Sequence, residues 1–138
     1  MTATSIKGQQ RTVVVGYSPS ELGRAVLSAA LAEAKRHEAG LLVLNVTRGD
    51  SYTDPHFASE EQLRALEQEL ASSTVNSQVD QLMGREPAQE IIRAAHESAA
   101  VLVVIGLRKR SAVGKFLMGS TAQSVLLEAP CPVLSVKV

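Results

Sequence analysis

The chain has no tryptophan, only two tyrosines and two phenylalanines, and a single cysteine among its 138 residues. One cysteine excludes an intramolecular disulfide, so the fold must stand without covalent staples, as suits a reducing compartment. Aromatics make up 3% of the residues and apolar side chains 45%. The core is therefore expected to be Val, Leu, Ile and Ala, a composition typical of strands covered by helices on both faces. Charge of one sign is missing as well, because fourteen basic residues balance fourteen acidic ones. That balance argues against a general nucleic-acid or membrane-surface binder. No apolar run approaches the roughly 20 residues needed to cross a bilayer. The polar start, Met1 to Arg11, lacks the apolar stretch of a signal peptide. The expectation is a cytoplasmic protein with one domain over residues 1–138, residues 1–10 forming a flexible tail.

What is present is a regular alternation of strand and helix signals. Thr12 to Gly16 is a β-branched run ending in glycine, and Leu41 to Val46 is a second apolar run of strand length. Between them Ser18-Pro19-Ser20-Glu21 reads as a capping box with Pro19 at the first helical position. Leu27, Ala30, Leu31 and Ala34 follow at helical spacing, with Leu22 and Val26 widening the stripe, and Gly40 is the expected left-handed stop. Ser59 to Gln62 caps a second helix striped by Leu63, Leu66 and Leu70, and Asn76 to Leu82 reads as a weak edge strand. Pro87 opens a third helix reaching about Ser98, with Ile91, Ile92 and Ala95 inward, and Val101 to Ile105 is the most apolar strand. Ser120 to Gln123 reads as a further capping box, Pro130 and Pro132 end that helix, and Val133 to Val138 closes the chain as a strand.

Five strands alternating with four helices predict an α/β fold with a parallel sheet and right-handed crossovers. Ligands of such sheets sit beyond the carboxyl ends of the strands, where the winding reverses. With the first and fourth strands adjacent, Gly16-Tyr17-Ser18 and Gly106-Leu107-Arg108 are the expected walls of a crevice. Gly119-Ser120-Thr121 opens a helix beside it, where free N–H groups and the dipole favour an anion. Arg108, Lys109, Arg110 and Lys115 add positive charge in the preceding loop. The bland alternative is a solvated loop followed by an ordinary capped helix.

Gly106, a twelve-residue gap and then Gly119-Ser120 resemble the signature of the universal stress protein family. Val103-Val104-Ile105-Gly106 and Ala129-Pro130-Cys131-Pro132-Val133-Leu134 resemble its closing region. The likeness runs from Val13 to Val138, and its specific part is the carboxyl-terminal third. It implies a five-stranded parallel sheet of order 3-2-1-4-5 with helices on both faces, a Rossmann-like fold of the adenine nucleotide alpha hydrolase type. It also implies a stress-response regulator that binds ATP or another adenine nucleotide, with or without magnesium, and a homodimer joined through the last strand, Val133 to Val138. By the same resemblance Gly106, Gly119, Ser120 and Thr121 contact phosphate and ribose, and the backbone of Val46 meets adenine.

Two positions depart from the family pattern. The second glycine of the signature falls on Lys109, and the acidic residue expected after the first strand is replaced by Ser18. Lys109 gives up the backbone freedom of glycine, and Ser18 removes a carboxylate acceptor. These departures define the alternative, a dimeric scaffold that has lost nucleotide affinity. No catalytic constellation emerges. The first strand ends in Gly16-Tyr17 rather than the acidic residues a response-regulator receiver needs, and Gly114-Lys115 is followed by Phe116 rather than the Ser or Thr of a Walker loop. Slow ATP hydrolysis ranks last among the readings. His37, His56 and His96 lack metal-ligand spacing and read as surface or boundary residues. Cys131 reads as a structural thiol, and Tyr17 and Tyr52 are candidates to stack on a base.

Overall fold

The computed structural model describes residues 11–49, 54–108 and 118–138. Five parallel strands carry it: β1 (Thr12–Gly16), β2 (Gly40–Thr47), β3 (Ser77–Met83), β4 (Leu102–Gly106) and β5 (Val133–Val136). Their order in the sheet is β3-β2-β1-β4-β5. The connections are α1 (Glu21–His37), α2 (Glu60–Ala71), α3 (Pro87–Glu97) and α4 (Ser120–Glu128).

Strand alternation divides the core into two layers, because successive side chains leave a strand on opposite faces. Val13, Val15, Leu41, Val43 and Val104 meet the buried stripes of α1 and α2, including Val26, Leu27, Leu66 and Leu70. Val14, Leu42, Leu44, Val103 and Ile105 meet α3 and α4 through Ile91, Ile92, Ala95 and Val125. Among the described residues, neither layer uses an aromatic side chain at its fully buried positions. The chain feeds α1 to one face after β1 and α4 to the other after β4. The winding thus reverses between two strands that pair directly, with Val14 opposite Val103.

Three expected helix ends differ from those observed, each because backbone geometry chose another residue. The N-cap of α1 is Ser20, not Ser18, and its hydroxyl accepts from the Gly23 N–H at 2.9 Å. Ser18 cannot cap because its carbonyl is packed against the first turn. A Cβ added to Gly23 would stand 1.7 Å from Ser18 O. α1 closes on Glu38 at φ 54, where the Glu38 and Ala39 N–H groups donate back to Lys35 and Ala34, so the left-handed stop falls two residues before Gly40. Gly40 is the first residue of β2 instead. The third difference is at α4, whose N-cap is Gly119 with no side-chain cap bond; Ser120 already lies inside the helix. Ser59 and Gln62 do form the reciprocal capping box at α2. β5 is shorter than expected, ending at Val136 rather than Val138. The proposed tail, residues 1–10, lies outside the described residues.

Candidate functional site

The reversal opens a cavity of about 540 Å³ beyond the carboxyl ends of β1, β2 and β4. Its floor is kept open by small residues packed from above and below. A Cβ at Gly106 would come within 2.8 Å of the Leu22 side chain, so any larger residue at the end of β4 would force Leu22 of α1 to shift. The turn from Gly16 to Ser18 lines one side of the cavity, and Gly106 to Arg108 lines the other.

The wall at the end of β2 is built from buried polar groups. Tyr17 N–H donates to Leu44 O at 2.9 Å, after which β1 has ended. Backbone groups point to alternate edges of a strand. The N–H and C=O of Val46 therefore aim to the side vacated by β1, toward the cavity that Val46 lines. Asn45 is 1% exposed. Its amide donates to Tyr17 O and His56 O, each at 2.9 Å, while its Oδ1 accepts from Ala58 N–H at 2.7 Å and Gln81 Nε2 at 3.1 Å. This saturates the capacity of the side chain. It ties the turn after β1, the loop before α2 and the edge strand β3 to one atom group. Buried Thr47 donates its hydroxyl to Asp54 Oδ2, and Asp54 Oδ1 accepts from His56 N–H at 2.9 Å. The Thr47 hydroxyl, followed by the His56 N–H, holds the Asp54 carboxyl below the usual carboxylate range.

Two cations enter the cavity from opposite sides. Arg48 holds Glu86 through Nε at 2.6 Å and one terminal nitrogen at 2.9 Å, and that nitrogen lies 3.4 Å from Thr121 Oγ1. The paired geometry holds Glu86 below its ordinary range and Arg48 above its own. Across the opening, a terminal nitrogen of Arg108 sits 3.2 Å from His56 Nδ1. Facing both is the first turn of α4, whose leading N–H groups receive no side-chain cap. Such a turn accepts an anion.

Of the residues singled out by sequence, Gly16, Tyr17, Ser18, Val46, Gly106, Arg108, Gly119, Ser120 and Thr121 all line this one cavity. Lys109, Arg110, Lys115 and Tyr52 lie outside the described residues. Tyr17 reaches the cavity at its rim but packs with the α1 and α2 layer. Burial there pushes its phenol up, with Arg24 pulling down and Glu69 pushing up. Cys131 is half-buried in the opposite layer, and burial raises its thiol, in keeping with a structural role. Sequence reasoning missed Asn45, Thr47, Arg48, Asp54 and Glu86, and it took His56 for an ordinary loop residue. Polar Asn45 and Thr47 inside an apolar strand run were the available signal, since buried polar groups need partners.

The family model for the universal stress protein family matches residues 10–137. The chain belongs to that family. A universal stress protein of Mycolicibacterium smegmatis is 45% identical over 125 residues, covering 91% of this chain and 96% of the relative. A solved universal stress protein of Archaeoglobus fulgidus superposes with a TM-score of 0.76 at 30% identity, covering 92% of this chain and 98% of that one. A second Archaeoglobus fulgidus structure, in complex with dAMP, shares the fold with a TM-score of 0.65 at 24% identity and the same coverage of both chains. Among the described residues of this family member no cluster of His, Cys, Asp and Glu is arranged to hold a metal ion. No described helix is long and apolar enough to cross a membrane.

Proposed function

We propose that the cavity binds an adenine nucleotide, ATP or a relative, with or without magnesium. In this reading the protein is a nucleotide-responsive stress regulator that acts in the cytoplasm as a homodimer. The observation that carries this is the pairing of two complementary ends in one cavity. At one end the Val46 N–H and C=O offer the adjacent donor and acceptor that the Watson–Crick edge of adenine requires. At the other, the uncapped start of α4 and the Arg48 and Arg108 guanidinium groups suit phosphate. A volume of about 540 Å³ suits a ligand of this size. That an Archaeoglobus fulgidus protein of this fold was solved with dAMP makes adenine nucleotides the ligands to test first. The dimer is assigned to the last strand, where β5 ends the sheet with one edge unpaired among the described strands.

Calorimetry on nucleotide-stripped protein tests this reading, with ATP in the presence and absence of magnesium and with AMP and cyclic AMP. The expected outcome is micromolar binding, about −8 kcal/mol, weakened in Gly119→Val, where a branched side chain crowds the phosphate end. No heat and no thermal shift with any adenine nucleotide would favour the second reading, a dimeric scaffold without nucleotide affinity. Ser18 supports that alternative, because a hydroxyl replaces the family's carboxylate at the cavity wall. Either reading predicts that Val136→Pro yields a monomer by light scattering. Turnover of ATP above background, lost in Ser120→Ala, would instead mark a slow hydrolase.

A further inference from the structure

Arg48 enters the cavity from the end of β2 with its guanidinium already occupied. The fork grips both Glu86 oxygens, at 2.6 and 2.9 Å, while remaining 3.4 Å from the Thr121 hydroxyl in the first turn of α4. A guanidinium presents the same paired N–H geometry to a carboxylate and to a phosphate. Both side chains are about half exposed, 57% for Arg48 and 44% for Glu86. Ion pairs of that exposure are weak and exchange readily. Arg48, Pro87 and Thr121 border the same cavity. Glu86 immediately precedes Pro87 at the start of α3.

Resting on the reading of the cavity as a nucleotide site, we propose that Glu86 is a built-in competitor for ligand phosphate at Arg48. A phosphate reaching the first turn of α4 takes the guanidinium fork and releases the Glu86 carboxylate. The exchange leaves Arg48 paired with an anion throughout, and the released carboxylate, 44% exposed, passes to water. A nucleoside, having no phosphate, leaves the Arg48–Glu86 pair intact. The pair therefore sets how strongly a nucleotide is preferred over its nucleoside. Arrival of phosphate is also registered at the start of α3, where the freed carboxylate changes the surface.

Calorimetry without magnesium tests the exchange, with tripolyphosphate, ATP and adenosine titrated into wild type, Glu86→Gln and Arg48→Gln. Loss of the competitor in Glu86→Gln is expected to tighten tripolyphosphate and ATP about threefold to fivefold. Loss of the cation in Arg48→Gln is expected to weaken both about tenfold. Adenosine should move less than about twofold in either variant, since it never touches the pair. Arg48→Lys, which keeps the charge without the fork, should fall between wild type and Arg48→Gln. Equal ATP affinity in all the variants would overturn the exchange and leave the nucleotide reading standing. Weaker anion binding in Glu86→Gln would overturn it too, because Glu86 would then orient Arg48 rather than compete for it. Tighter tripolyphosphate in Glu86→Gln with no ATP preference over tripolyphosphate and no adenosine binding would sustain the exchange and sink the adenine reading. If neither anion binds even Glu86→Gln, both fall together.

Discussion

The wall at the end of β2 and the wall at the start of α4 are made of the same materials, backbone amides and short polar side chains, in opposite states of commitment. At β2, Asn45 and Thr47 are each 1% exposed, and their bonds go to protein groups, Tyr17 O, His56 O, Ala58 N–H and Asp54 among them. At α4, the N-cap is Gly119, which has no side chain to cap with, and no side-chain cap bond is made to the leading N–H groups. A buried polar group must be paired to be tolerated, whereas an N-terminal turn at a solvent-filled cavity can be left to water or a ligand. One wall is scaffold and the other is the proposed docking surface. The turn after β1 belongs with the scaffold, because Gly23 and Ser18 interlock there by close approach.

Substitutions on the committed side should be costly, and the steric interlock should be the costliest. Gly23→Ala places a methyl 1.7 Å from the Ser18 carbonyl position, which forces α1 off the sheet. The expected loss is about 3 kcal/mol or more, read as a fall in Tm of roughly 10 °C. Asn45→Leu should come next, losing about 3 kcal/mol, because it strips partners from Tyr17 O, His56 O and Ala58 N–H. Urea denaturation would measure it, and amide exchange should quicken at Ala58. A cost below about 1 kcal/mol would show that water replaces the amide and that this wall is less closed than its burial suggests.

A pH titration separates the two walls more finely. Asp54 is held below its ordinary range by Thr47 and His56. Its contribution to stability is then complete above the unfolded carboxylate value, near 4, and is lost as pH falls through the lower folded value. Thr47→Val should return the Asp54 carboxyl toward the ordinary range and flatten that acid limb, as followed by carboxyl NMR. An unchanged Asp54 titration would place the cause elsewhere. The smallest effect is expected on the open side. Ser120→Ala should alter stability by less than about 0.5 kcal/mol, where a true N-cap would cost about 1 kcal/mol. A cap-sized loss would erase the contrast between the two walls.

Much of the fold was legible because it rests on short-range pattern. The runs Thr12 to Gly16 and Leu41 to Val46 declare buried strands, Pro87 declares a helix start, and the alternation forces parallel pairing. Helix ends were less legible, since Ser18 and Ser20 offer the same hydroxyl and only the fit of Gly23 against Ser18 O chooses between them. The candidate site residues could be grouped from the sequence, and those described line one cavity. Arg48 and Glu86, thirty-eight residues apart in the chain, carry no local mark of their meeting.

The sequence by itself determined the element order, the division into two apolar layers and the family, because alternation of side chains and spacing of glycines are properties of the chain. Only the tertiary structure decided which polar groups are spent and which stay open. That choice depends on distances between segments far apart in sequence: β2 against the loop before α2, and the end of β2 against the starts of α3 and α4. Hydrogen bonds are satisfied or left free by those distances, and no local pattern encodes them.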